Sequence, residues 1–302
     1  MNEKKPKNHL RALRIVLMVA LQVLIVGCVV YLGYRFYSDW RTEQALQLSN
    51  QLYQEALVNN PPTPSVTAAE PASTPTPVPT TAQPTVTPQP SAPAAAPKVL
   101  QPAFAALRSQ YGNNDIVGYL KIEGTSIDYL VTQYTDNDFY LTHDINKNPS
   151  NAGWPFMDFD DNITKDERSI IIYGHNMKSD TMFHALRYWQ DKSYYEKHKY
   201  ITFNTAYDNM DWEIFAFVRT DTDFYYIQTQ FPDDASFMAV VDGLRQRALY
   251  DTGVQVTAQD RILLLSTCTD VEENTRYVLC ARLMTPDEAR QKMQDQINTG
   301  SY

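Results

Sequence analysis

A closed antiparallel β-barrel or a β-sandwich decorated with helices, tethered by a single apolar span, is the architecture that this 302-residue sequence predicts. Three observations predict it. Residues 98–302 are crowded with short runs of β-branched and aromatic residues bounded by Gly, Asp, Asn or Pro. Helical patterns are interleaved with these runs. An uncharged stretch near the N-terminus stands apart from both.

In chain order, residues 1–14 form a cytoplasmic tail in which Lys4, Lys5, Lys7, Arg11 and Arg14 oppose Glu3 alone. Residues 15–34, IVLMVALQVLIVGCVVYLGY, carry no charge. At about 1.5 Å per residue they match the roughly 30 Å hydrocarbon core of a bilayer. The basic flank holds the N-terminus inside and sends the rest of the chain outside. A cleaved signal peptide is the competing reading. The run exceeds an h-region of about 7–15 residues, and no clean A-x-A site follows it. The expectation is therefore a single-pass signal anchor in the cell membrane, with an extracellular domain beyond it. Residues 35–60 are expected to form a juxtamembrane helix; within RTEQALQLSNQLYQEALV (41–58), Ala45, Leu48, Leu52 and Leu57 fall near helical spacing. Residues 61–97 hold twelve of the eighteen prolines and almost no large apolar side chains, so they cannot bury enough surface to fold. They are expected to be a disordered, semi-rigid stalk.

Residues 98–302 are long enough for one domain with a sizeable core. Strands are expected at 116–122, 127–131, 169–173, 200–203, 212–218, 224–230, 262–268 and 276–284. Helices are expected at 99–111, at 180–190 behind an Asp N-cap, at 233–249, and at 286–297 with Pro in the first turn. The net charge of −9 argues against a nucleic-acid partner. No His, Cys and carboxylate cluster has metal-ligand spacing, so no metal and no cofactor is expected.

The stretch 261-RILLLSTCTDVEENTRYVLCARL-283 carries the chemistry. If Cys268 and Arg276 flank the turn TDVEENT, antiparallel pairing sets position 264, not 268, opposite Cys280. The two sulfurs would then be offset by roughly 13 Å, outside the Cα separation of about 4.4–6.8 Å that a disulfide needs. Cys280, among Val278, Leu279 and Leu283, reads as a buried small hydrophobe. Ser266, Thr267, Thr269 and Asp270 make the surroundings of Cys268 more polar, which favours a nucleophile. Its partner for proton transfer would be His175, which follows the run SIIIY in 172-IYGHNM-177, where a glycine lets the backbone turn at a strand end. Arg276 cannot titrate usefully, so its role would be charge and hydrogen bonds. Asp270 reads either as an orienting partner of His175 or as a turn residue, the latter being favoured.

The order His175, Cys268, Arg276, with the cysteine ending a strand as S-T-C and the arginine opening the next, closely resembles the sortases, membrane-anchored cysteine transpeptidases of Gram-positive cell surfaces. The stretches 113-NNDIVGYLKIEGTSIDYLVTQYTDNDFYLTHD-144, 152-AGWPFMDF-159 and 169-SIIIYGHNMKSDTMFHAL-186, with the late helical insertion at 233–249, resemble class B. The resemblance covers residues 99–285. It implies a sortase-type barrel of seven to eight strands and a catalytic set of His175, Cys268 and Arg276. It further implies transfer of secreted proteins bearing a C-terminal sorting motif to a peptidoglycan amine through a thioester. Ser266, Thr267 and Asn176 are weaker candidates for substrate contacts. A hydrolytic cysteine peptidase, a pilin-polymerising sortase and a non-catalytic stalked binding module are the alternatives, although no Asp-Pro-Trp lid motif precedes the barrel.

Overall fold

The computed structural model describes residues 7–61, 97–177, 179–268 and 274–299. Its first element, α1 (Lys7–Asn59), is one unbroken helix. Neither Pro nor Gly occurs between Gly33 and Pro61, so nothing interrupts the backbone ladder where the apolar run gives way to polar sequence. Among the described residues, this is the one helix long and apolar enough to cross a membrane. Its last third docks on the rest of the chain. Leu46, Ser49, Tyr53 and Ala56 are buried, a spacing that defines one helical face. Leu48, expected on that face, is 49 % exposed, whereas Ala45, Leu52 and Leu57 pack partly against the core. Of the expected stalk, residues 62–96 lie outside the described residues.

The domain then follows as α2 (Pro102–Tyr111), β1 (Ile116–Lys121), β2 (Asp128–Thr132), β3 (Phe156–Met157), β4 (Ser169–Tyr173), α3 (Lys192–Lys197), β5 (Tyr200–Thr205), β6 (Asp211–Asp221), α4 (Asp234–Arg247), β7 (Ile262–Cys268), β8 (Thr275–Leu283) and α5 (Pro286–Thr299). The strands close into a barrel in the order β1-β2-β3-β4-β7-β8-β6-β5, with β5 returning to β1. The expected closed barrel is thus present, but it is not wholly antiparallel. The pairs β2–β3 and β4–β7 run parallel. The second of these matters most, because it puts the C-terminal ends of two central strands side by side.

Side-chain alternation divides the core in two. Leu263, Leu265 and Leu279 pack with Leu120, Leu130, Phe203 and Phe217 in one cluster. Ile262, Leu264, Val278 and Cys280 pack in the other, beneath Phe237, Val241 and Leu244 of α4. Asp233 caps α4 through a reciprocal capping box with Ser236.

Two of the expected elements need correction, and two observed elements were not expected. The aromatic run 224–230 is not a strand but an irregular segment, its tyrosines serving a surface cleft instead of a sheet. The helix expected at 180–190 is a 3-10 turn over Phe183–Gln190, and Asp180 sits at φ 61° with no capping role. Neither β3, only two residues long, nor α3 was expected.

Candidate active site

The parallel β4–β7 register pairs Tyr173 with Ser266. Two residues further along each chain come His175 and Cys268, so both leave the same end of adjacent strands, whose spacing is about 4.8 Å. The antiparallel β7–β8 register pairs Cys268 with Arg276 and Leu264 with Cys280. Directly opposed residues in such a ladder have Cα atoms about 4.5–5.5 Å apart. Hence Arg276 faces Cys268 across the ladder at that same rim, while Cys280 lies four positions deeper. Cys280 is fully buried, and burial pushes its thiol well above the ordinary range, as befits an inert core residue.

A cleft of about 470 Å³ opens at this rim, lined by His175, Ser266, Thr267 and Arg276 together with side chains from two loops. Local sequence explains how His175 is presented. The strand SIIIY is buried almost throughout, and Gly174 ends it. A Cβ at Gly174 would lie 2.8 Å from the Phe183 ring, so only glycine allows that ring to close beneath the turn. The Phe183 N–H in turn donates to the His175 carbonyl at 2.9 Å. The imidazole Nε2 lies 2.8 Å from the Leu141 carbonyl oxygen. A carbonyl only accepts, so Nε2 carries the hydrogen and Nδ1 is left as the ring's basic lone pair. A backbone oxygen therefore orients this histidine. Asp270, the side chain considered for that task, lies outside the described residues.

Ser266 and Thr267 are both buried. The Ser266 hydroxyl is 2.7 Å from the Tyr226 hydroxyl, which ties β7 to the irregular segment that forms one wall. Thr267 Oγ1 is buried without a partner among the described residues. Asn176, the third weaker candidate, does not line the cleft; its side-chain oxygen meets His184 Nδ1 at 2.7 Å. Arg276 donates from Nη1 to the Thr275 carbonyl at 3.0 Å, which fixes one corner of the guanidinium.

Several lining residues were not anticipated. Asn137 and Leu141 come from the segment before β3, and Thr222, Tyr226 and Ile227 from the segment after β6. Phe224 also contributes; it lies on Gly243 of α4, where an added Cβ would come within 2.7 Å of the ring, and Arg247 covers it at 4.0 Å. The opposite wall is braced by the buried carboxylate of Asp158, which accepts from the Tyr173 hydroxyl at 2.7 Å and from Asn137 Nδ2 at 3.0 Å. Two cleft residues from different segments thus share one buried anchor.

Behind Asp158 lies Asp161, whose Oδ2 accepts from the Ile171 N–H at 2.8 Å while Oδ1 has no partner among the described residues. Burial, reinforced by the carboxylates of Asp158, Glu167 and Asp160, pushes this carboxyl up to about 9 despite the opposing Ile171 bond. In an unfolded chain an aspartate titrates near about 3.9. The folded protein therefore holds one extra proton between those values, and this group's contribution to stability declines as pH rises through that window. The Asp161→Asn variant removes the titration while keeping an oxygen for Ile171. Its melting temperature is expected to fall less than the parent's between pH 6 and pH 9.5, which thermal scans at several pH values would measure. Equal falls would contradict the assignment.

Among the described residues, no group of three or more His, Cys, Asp or Glu side chains is placed to hold a metal ion. The rim brings a thiol-bearing strand end, an oriented imidazole and a guanidinium to one cleft, and these are the parts needed for acyl transfer.

Comparison with known proteins agrees with this chemistry. The Sortase domain family matches residues 120–284. Sortase B of Listeria monocytogenes is 40 % identical over 176 residues, covering 57 % of this chain and 71 % of that protein. Sortase B of Staphylococcus aureus is 35 % identical over 187 residues, covering 61 % of this chain and 76 % of that protein. The solved complex of Staphylococcus aureus sortase B with a substrate superposes with a TM-score of 0.66 at 27 % identity, covering 83 % of this chain and 99 % of that one.

Proposed function

We propose that this chain, which belongs to the sortase family as a class B cysteine transpeptidase, cleaves a C-terminal sorting motif of secreted proteins and joins the new carboxyl end to a peptidoglycan amine. Cys268 is the nucleophile. Its thiolate attacks the carbonyl carbon of the scissile peptide bond to give a tetrahedral oxyanion. Arg276 and a backbone N–H at the rim stabilise that charge. The C–N bond breaks, protonated His175 gives its proton to the departing amine, and a thioester remains on Cys268. An incoming amine, deprotonated by neutral His175, attacks the thioester; an amide forms and the thiolate is released. Because Nε2 is held by Leu141, Nδ1 is the ring atom that carries the exchanged proton.

The observation that carries this reading is the pair of strand registers: parallel β4–β7 and antiparallel β7–β8 bring His175, Cys268 and Arg276 to one rim above one cleft. The cleft suits a peptide lying extended between the Asn137–Leu141 segment and the Thr222–Ile227 segment. The apolar run of α1 anchors the protein as a single pass, with its basic N-terminal flank inside and the catalytic domain outside.

The test is mass spectrometry of the purified chain incubated with a pool of candidate pentapeptides and an amine acceptor. The expected result is an acyl adduct on the peptide containing Cys268 and a product extended by the amine. Hydrolysed product alone, at saturating amine, would replace transfer with peptidase chemistry. Binding with no adduct and no product would leave a non-catalytic surface module.

A further inference from the structure

We propose that α1 is a rigid mount that holds the catalytic rim of the barrel against the outer surface of the bilayer. This rests on the reading that residues 15–34 span the membrane. Tyr34 and Tyr37 share a small surface pocket with Pro149 and Ser150 of the barrel. Arg41 pairs with Asp144 at 2.8 Å. Asn50 donates to Asp128 at 2.7 Å. Tyr53 stacks on Tyr119 with ring centroids 3.8 Å apart, and its hydroxyl accepts from Asn204 at 3.1 Å. From Tyr34 to Arg41 the helix rises about 10 Å, and from Arg41 to Tyr53 about 18 Å. Pro149 and Ser150, beside Tyr34 and Tyr37, are therefore level with the polar headgroup zone, which extends some 5–8 Å beyond the hydrocarbon on each side, and Asp144, beside Arg41, lies at its outer edge.

The same contacts orient the barrel. Lys147 pairs with Asp115, and Asn113 donates to the Ile145 carbonyl, so the start of β1 lies at the level of Arg41. Tyr119, further along β1, lies at the level of Tyr53. β1 thus rises away from the bilayer beside α1. Its antiparallel partner β2 descends, with Thr132 opposite Ile116 at the low end. From Thr132 the ladder continues at that end to Phe156, then to Tyr173, then to Ser266. This is the edge that runs on into His175 and Cys268. Leu141, whose carbonyl orients His175, is three residues from Asp144, which holds Arg41. The membrane-proximal end of the barrel and its catalytic end are one and the same.

Two further observations agree. Phe36, Tyr37 and Trp40 are 76 %, 56 % and 51 % exposed at the height where aromatic side chains favour the interface. After the Pro-rich segment the chain is pinned back on the barrel, where the Gln101 N–H donates to Ala206 O and the Ala206 N–H to Val117 O. Both flanks of that segment are thereby fixed to the same body, so its length does not set the distance between bilayer and cleft.

The test uses the full chain with Cys28→Ser and Cys268→Ala, reconstituted in vesicles containing a lipid with a nitroxide quencher on its headgroup. Single dyes are attached at Asn148→Cys on the low rim, at Glu123→Cys in the hairpin at the far end, or at Val23→Cys within the apolar run. Quenching is expected to be several-fold stronger at residue 148 than at residue 123, with residue 23 shielded from aqueous quenchers. Combining Asn148→Cys with Arg41→Ala, Asn50→Ala and Tyr53→Ala should bring the residue 148 signal down towards that of residue 123. A shielded residue 23 with equal signals at 148 and 123, or a residue 148 signal that survives loss of the three contacts, would overturn the mount while leaving the anchor intact. A residue 23 open to aqueous quenchers would overturn the membrane-spanning reading and the mount with it.

Discussion

The Cys268→Ala variant should lose transfer by at least about a thousandfold and form no adduct with the peptide substrate, while its melting temperature stays close to that of the parent. Position 268 is the last residue of β7, opposite Arg276, so the change removes the proposed reacting atom at a strand end. Cys280→Ala is the internal comparison. That residue is fully buried between Leu264 and Ala216 on the neighbouring strands. Its truncation should cost about 1–2 kcal/mol of stability and leave the specific rate near that of the parent. Paired measurement of turnover and denaturant midpoint for the two variants separates the roles. Transfer that persists in Cys268→Ala, or is lost equally in Cys280→Ala, would remove the nucleophile assignment.

That Cys280 sits in the core, out of register with Cys268, was legible in the sequence because a hairpin is a local object. Seven residues between Cys268 and Arg276 set the register, and the register fixed Leu264 as the partner of Cys280. The glycine beside His175 was legible for the same reason, as a turn at the end of a buried run. What escaped reading was non-local. Nothing in SIIIY or ILLLSTC announces that the two strands lie side by side in parallel, because that pairing depends on where the intervening chain of nearly ninety residues travels. The two-residue β3 is too short to show any period. Tyr225 and Tyr226 have strong strand propensity, but the chain uses them at a cleft, where an aromatic face serves recognition as well as it serves a sheet. The atom that orients His175 is a backbone carbonyl, for which no residue type is a marker. The docking face of α1 was half legible: helical spacing was evident, but the seam runs through Leu46, Ser49, Tyr53 and Ala56, and two of these four are polar or amphipathic residues that apolar spacing does not mark.

Replacement of Arg276 should produce the second large loss, and the choice of substituent is what makes it informative. In Arg276→Ala the developing oxyanion loses a charged donor in a partly enclosed cleft. A deficit of about 2.7–4 kcal/mol is expected, a hundredfold to a thousandfold in kcat. If the group acts on charge that exists only in the transition state, KM should scarcely move. Arg276→Lys keeps the positive charge but not the planar fork. The guanidinium satisfies the Thr275 carbonyl from Nη1 and still has donors in the same plane to present towards Cys268's side of the ladder. A lysine ammonium on a flexible stem cannot hold both directions at once. Arg276→Lys should therefore resemble Arg276→Ala more than the parent, in steady-state kinetics of peptide transfer. Near-full activity in Arg276→Lys would mean that diffuse positive charge suffices, and a loss confined to KM would make Arg276 a clamp for the substrate instead of a stabiliser of the oxyanion.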